Sequence, residues 1–179
     1  TDIPALRTYT HSLEQVSCNS FPWYGWHSTM RNHVKTLEKT LEPIGDEDDF
    51  FKMYDALLLH DSSFVHNRVS LLKAWKRGGE LYTLQIKETQ ALFDDHDLRM
   101  NLALFADPVN PTASWLNLPI FCWRDHGDAC IMLWTAPHIR RLGLARELLG
   151  RLGIARAYNV LPTSRPFWEH LAIPEVDRI

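Results

Sequence analysis

Cysteine is scarce. Three occur in 179 residues, Cys18, Cys122 and Cys130, and no two of them form a Cys-x-x-Cys pair. A structural zinc site needs about four ligands at short paired spacings, and the nine histidines are scattered, so no metal site is expected. Long apolar runs are missing as well. Nothing approaches the roughly 18 apolar residues that a spanning helix requires, so no membrane partner is expected. A basic excess is also lacking: Lys and Arg number 19 against 22 Asp and Glu, for a net charge of −3. A chain built to hold nucleic-acid phosphates is normally basic. Neither end shows a signal-peptide or lipidation pattern, which makes the cytoplasm the expected location. In a reducing cytoplasm, Cys122 and Cys130 read as buried small apolar side chains rather than a disulfide.

What is present is an ordinary globular balance, 45% apolar and 23% charged residues, at the length of one domain. The first eighty residues read as mainly helical. Thr29 to Glu42 carries Val34, Leu37 and Leu41 at helical spacing and is stopped by Pro43. Asp48 to His60 carries Phe50, Phe51, Tyr54, Leu57 and Leu58, with acids at its start where the helix dipole favours them. A third helix runs from about Phe64 to Arg77 and ends at Gly78-Gly79. Before these lie a short strand, Ala5 to Tyr9, and an aromatic stretch from Phe21 to Trp26.

After Gly79 the period changes from helical to alternating. Tyr82, Leu84 and Ile86 share one side of a strand, with Thr83 and Gln85 on the other. Asp94-Asp95-His96-Asp97 reads as a turn, after which Met100, Leu102 and Leu104 resume the alternation. Leu116 to Trp123 and Ala129 to Thr135 form a hairpin about His126-Gly127. A helix from about Leu142 to Leu152, a strand from Ala155 to Leu161 and a helix from Thr163 to Leu171 follow. The expected fold is α/β (α+β): a mixed, mostly antiparallel sheet flanked by helices, in a single domain over 1–179.

The segment from Leu133 to Leu149 carries the chemistry. An apolar strand ends at Pro137, and a turn with Arg140, Arg141 and Gly143 leads into a helix with an apolar face of Leu142, Ala145, Leu148, Leu149 and Leu152. Such a turn presents unpaired backbone N–H groups at the positive end of a helix dipole, which suits a phosphate or pyrophosphate. Gly143 and Ala145 keep the approach open. The Gly-Lys-Ser/Thr ending of a Walker loop and the three glycines of a dinucleotide fingerprint are both missing.

Arg140-x-x-Gly143-x-Ala145 resembles the acetyl-CoA pyrophosphate loop of the GCN5-related N-acetyltransferases, written Gln/Arg-x-x-Gly-x-Gly/Ala. Ser164-x-x-Phe167-Trp168-Glu169-x-Leu171 is similar to the later helix of that family, in the right order and at the right distance. The resemblance covers Ala129 to Ile173; over residues 1–80 it is architectural only. It implies acetyl-CoA as co-substrate, lying in a cleft between the strand that ends at Thr135 and the strand from Ala155 to Leu161. Leu133 and Thr135 would pair with the pantetheine arm. Arg140, Arg141, Leu142, Gly143, Leu144 and Ala145 would hold the pyrophosphate, with Ser164 and Trp168 nearby. The implied reaction is direct acyl transfer to a primary amine, with residues 1–80 on the substrate side.

The chain departs from that pattern in several places. Trp168 occupies the usual Tyr position, and its indole is a poor proton donor to a thiolate. The usual carboxylate base falls near Ala129, which leaves Asp128 as the nearest acid, alternatively a hairpin-turn residue. Ser164 stands either near the sulfur or as a helix cap. Tyr158 is a further candidate, with packing as its alternative, and His138 sits by the phosphate loop, too far from the thioester. Only six residues follow Ile173, so the usual last strand pair is expected to be absent or reduced to one short segment. Residues from about Cys18 to Met30, with Trp23, Tyr24 and Trp26, are expected to form one wall of the acceptor pocket, with core packing or a homodimer contact as the alternatives. Acidic runs at Gly45 to Asp49 and Asp94 to Asp97 would attract a cationic amine such as a polyamine, a basic peptide or an aminoglycoside, or are simply a solvated helix start and a hairpin turn. Transfer of another acyl group, a nucleobase acceptor and a non-catalytic acyl-CoA-binding module are the competing functions.

Overall fold

The computed structural model describes residues 21–61, 68–108, 111–112 and 117–177. Seven α-helices and six strands lie within them: α1 (Phe21–Thr36), β1 (Lys39–Ile44), α2 (Glu47–His60), α3 (Arg68–Lys76), β2 (Glu80–Ile86), α4 (Gln90–Asp94), α5 (His96–Ala106), β3 (Asn117–Asp125), β4 (Ala129–Thr135), α6 (Leu144–Leu152), β5 (Arg156–Tyr158), α7 (Arg165–His170) and β6 (Glu175–Val176). The class is α+β. The strands form one mixed, mostly antiparallel sheet in the order β1-β2-β3-β4-β5-β6. Contacts divide the chain into two compact units, one reaching Thr40 and resuming at Gln85–Leu118, the other made of Leu41–Leu84 with Pro119 onward.

In the first unit, α1 lies against α5. Trp26 packs on the buried Met100 and Leu104, donates its indole N–H to Asn101 Oδ1 at 2.9 Å, and meets Phe105 edge-on at 5.8 Å. Helix α1 ends where its C-terminal Lys35 carbonyl accepts from Lys39 Nζ at 3.1 Å. In the second unit, α2 buries Phe50, Met53, Tyr54 and Leu57. Phe50 stacks on Trp75 of α3 with ring centroids 5.2 Å apart. Helix α6 buries Leu144, Leu148, Leu149 and Leu152 on one side.

Strand β4 organises the second unit. It pairs antiparallel with β3 from Ile120↔Thr135 to Asp125↔Ala129, with a register shift between Trp123 and Arg124. Ile131 is the extra residue of that bulge, which turns both Ile131 and Met132 to the side of Trp123. The hairpin turn places His126 and Gly127 at φ 51° and 81°, the left-handed values a tight hairpin needs. On its other side β4 pairs with β5 in parallel, but only at Ala129↔Arg156 and Cys130↔Ala157. From Ile131 to Thr135 the β5 side of β4 has no ladder partner among the described residues, so the two strands part. Trp134, beside Phe121 on one face, meets His60 of α2 at 6.0 Å, while Arg124 on the opposite face donates to the Leu152 carbonyl of α6 at 3.0 Å. Helices therefore cover both faces of the sheet.

Several expectations are corrected. The helix expected over Thr29 to Glu42 starts earlier and ends at Thr36, and Pro43 sits in β1, an edge strand where a missing N–H is tolerated. Met100, Leu102 and Leu104 belong to α5, not to a strand. Thr89 caps α4 by accepting from Leu92 N–H at 3.2 Å, and Asp95 caps α5 by accepting from Leu98 N–H at 3.0 Å, so the acidic run is a helix start and not a hairpin turn. In β2, Leu81, Thr83, Leu84 and Ile86 are all buried, so both faces are covered and the simple alternation fails. Strand β5 stops at Tyr158, because Asn159 turns left-handed at φ 52°. The expected strand Ala5 to Tyr9, and the start of the third helix at Phe64, lie outside the described residues.

Candidate functional site

The parting of β4 from β5 and the turn that follows β4 form the candidate site. Ala136 leaves the strand with its N–H on the Pro119 carbonyl at 3.0 Å. Pro137–Ile139 make one 3-10 turn that buries Ile139. Arg140 is extended, Arg141 is left-handed at φ 65°, and Gly143 is left-handed at φ 78° and immediately precedes α6. A side chain at Gly143 would be strained by that φ, and a Cβ there would meet nothing within 4 Å. The space in front of the turn is therefore open, and no side chain caps the first N–H groups of α6. Those groups and the helix dipole together favour an anion.

The two arginines divide their roles. Arg140 Nε turns back and donates to the Thr135 carbonyl at 2.8 Å, which fixes the strand end. Arg141 is exposed beside Gly143. Leu133, Thr135 and Leu142 are half-buried, Leu144 is buried and Ala145 is half-buried. The fold thus brings Leu133, Thr135 and the run from Arg140 to Ala145 to one end of one strand. His138 lies in the same turn with its ring 4.9 Å from that of His60, beside Trp134. Sequence reasoning missed His60, whose helical position gave no hint of this neighbour.

The remaining candidates are placed differently. Asp128 sits at the amino end of β4, seven residues before Thr135, hence on the order of 23 Å along an extended strand. Its Oδ1 accepts from Arg156 Nη2 at 2.7 Å and Nε at 3.1 Å, and its carbonyl accepts from the N–H groups of Ala155 and Arg156. Arg156 is held above the usual arginine value chiefly by that hydrogen bond. Asp128 is thus engaged in joining β4 to β5. Ser164 ends the 3-10 turn Pro162–Ser164 and adjoins α7, but its hydroxyl makes no cap bond, so the alternative reading of it as a cap is not realised. Trp168 is buried against Phe167 at 5.2 Å, and Tyr158 is buried with Arg156 5.9 Å over its ring.

On the acceptor side, Trp26 is used in packing within its own unit, and Cys18 lies outside the described residues. Asp46 accepts from Asp49 N–H at 2.8 Å as the cap of α2, and Glu47 pairs with Lys76 at 2.5 Å, so the first acidic run is a helix start. Cys122 and Cys130 are reduced and buried with sulfurs 3.7 Å apart. The Cys122 thiol is pushed well up, first by its hydrogen bond with Cys130 and then by burial. Among the described residues no group of three or more His, Cys, Asp or Glu is placed to hold a metal ion, and no helix is long and apolar enough to cross a membrane. Comparison with protein-family models, with curated proteins and with solved structures returns no match.

Proposed function

We propose that the chain is an acyl-CoA-dependent N-acyltransferase that moves an acetyl group from acetyl-CoA to a primary amine. One observation carries this reading: β4 loses its β5 partner at Ile131, and an uncapped helix N-terminus stands just beyond the end of the opened strand. An extended pantetheine arm can add to the strand's unpaired edge as another strand would. Its pyrophosphate then meets the N–H groups of Leu144, Ala145 and Arg146 and the Arg141 charge. In that pose the thioester lies toward the vertex, near Ile131, where an attacking amine held beside it gains the advantage of orientation.

No described side chain is committed to the proton transfers. Asp128 is tied to Arg156, and Trp168, buried in place of a tyrosine, offers no hydroxyl. Those two facts favour a second reading, a non-catalytic acyl-CoA-binding module in the same cleft. Thiol release from acetyl-CoA, followed across a panel of primary amines, separates the two. Amine-dependent release supports the enzyme. Tight CoA binding with no release for any amine supports the module.

A further inference from the structure

On the Trp123 side of the sheet, reaching the start of the β4–β5 opening at Ile131, lies a pocket of about 190 Å³ lined by Ala74, Arg77, Gly78, Gly79, Trp123, Asp125 and Ile131. Its volume equals roughly six water molecules, which suits a ligand of few heavy atoms. The β4 bulge builds one wall, because it turns Ile131 onto the face that carries Trp123 and Asp125. The end of α3 builds the opposite wall. Gly79 is required there: a Cβ would come within 2.3 Å of Trp123 Nε1, so only glycine lets the indole close the floor.

The polar groups around this pocket are of opposite sign. Arg77 is exposed and carries no side-chain ion pair among the described residues. Asp125 keeps a partly exposed carboxylate: Oδ1 accepts from His126 N–H at 2.9 Å and Oδ2 lies 3.3 Å from Nε2 of the exposed His126 ring. The carbonyl end of α3, at Ala74, adds negative potential on the Asp125 side of the charge balance. Trp123 is only 8% exposed, and its Nε1–H is buried without a hydrogen-bond partner under the Gly78–Gly79 turn. A buried donor left in that state is costly and calls for an acceptor.

We propose that this pocket binds a small zwitterion, a free α-amino acid with a short side chain. Its carboxylate pairs with Arg77 and its ammonium with Asp125, while the Trp123 ring supplies an apolar floor. The pocket shares no residue with the turn from Arg140 to Ala145, so the inference stands apart from the acyl-transfer reading.

The test is calorimetric titration of the full chain, without any CoA, with glycine, L-alanine, acetate and methylammonium. We expect L-alanine or glycine to bind at least about tenfold more tightly than either acetate or methylammonium alone. Arg77→Gln and Asp125→Asn, both at surface positions, should each weaken that binding by about tenfold. Acetate binding as tightly as L-alanine would overturn the zwitterion. Absence of amino-acid binding by the folded chain, or unchanged affinity in both charge variants, would overturn the site. CoA binding measured separately leaves the two readings independently testable.

Discussion

Two helices of the second unit begin in opposite ways. Helix α2 closes on itself: Asp46 sits at φ −130°, ψ 170° and accepts from Asp49 N–H, and Glu47, Asp48 and Asp49 fill the first turn with negative charge. Helix α6 begins at Gly143 with φ 78°, ψ 9°, no side-chain cap, and Glu147 as the acid of its first turn. A capping side chain needs the extended backbone that Asp46 has; a residue locked left-handed cannot deliver one in the same way. The start of α2 is a finished structural element. That of α6 has no side-chain cap on its donors, and the strand leading to it is the one whose edge is open.

Exchanging what distinguishes the two starts should separate binding from stability. Gly143→Glu places a strained, negatively charged side chain in the open space before α6, and we expect CoA affinity to fall by at least about 100-fold, several kcal/mol at the anion site, with the circular dichroism spectrum retained. Asp46→Ala should do the reverse. It should cost about 1 kcal/mol of stability, a fall of about 2–4 °C in Tm, with CoA affinity unchanged by calorimetry. Equal effects of both substitutions on binding would erase the distinction.

Asp128→Asn sharpens the comparison at the other end of β4. Loss of a general base costs about 10²- to 10⁴-fold in rate, whereas loss of a strand-joining ion pair costs little at a half-exposed position. We expect a small drop in thermal midpoint and a turnover rate within about tenfold of the parent. A larger loss would return Asp128 to the chemistry.

The smallest effect concerns acid. His27 is held below the ordinary histidine value, first by burial and then by Arg31, where it meets Trp26 and Phe105 at 5.0 and 5.9 Å. A histidine depressed in the folded state binds fewer protons there than when unfolded, so stability rises with pH across that window. The contribution is full above the unfolded value, near 6.5, and is lost as pH falls toward the lower folded one. Thermal melts from pH 7.5 to 5 should show this slope, and His27→Gln should flatten it without altering the pH dependence of CoA binding.

The parts of the fold written in local chemistry were legible in the sequence. The acids before Phe50, the His126-Gly127 turn and the leucines of α6 each specify their element without help. The strand-to-helix turn was legible for the same reason, since Arg140, Gly143 and Ala145 act through backbone shape. Met100, Leu102 and Leu104 misled because alternate apolar residues also occur in a helix buried on most sides, and α5 buries six residues in a row from Met100 apart from Asn101. Asp128 misled in a different way. Its hydrogen bonds come from Arg156, 28 positions away, a partner that only the parallel pairing of β4 with β5 brings near. The pocket beside Trp123 was invisible, because it depends on a one-residue bulge at Ile131 and a glycine pressed on an indole.

The most direct measurement is calorimetric titration of the intact chain with acetyl-CoA, CoA and dephospho-CoA. We expect micromolar binding of acetyl-CoA and CoA. Dephospho-CoA should bind within about tenfold of CoA, because in the proposed pose the anchoring anion is the pyrophosphate at the start of α6. No binding of any of the three by the folded protein would contradict the reading of the β4–β5 opening as an acyl-CoA cleft.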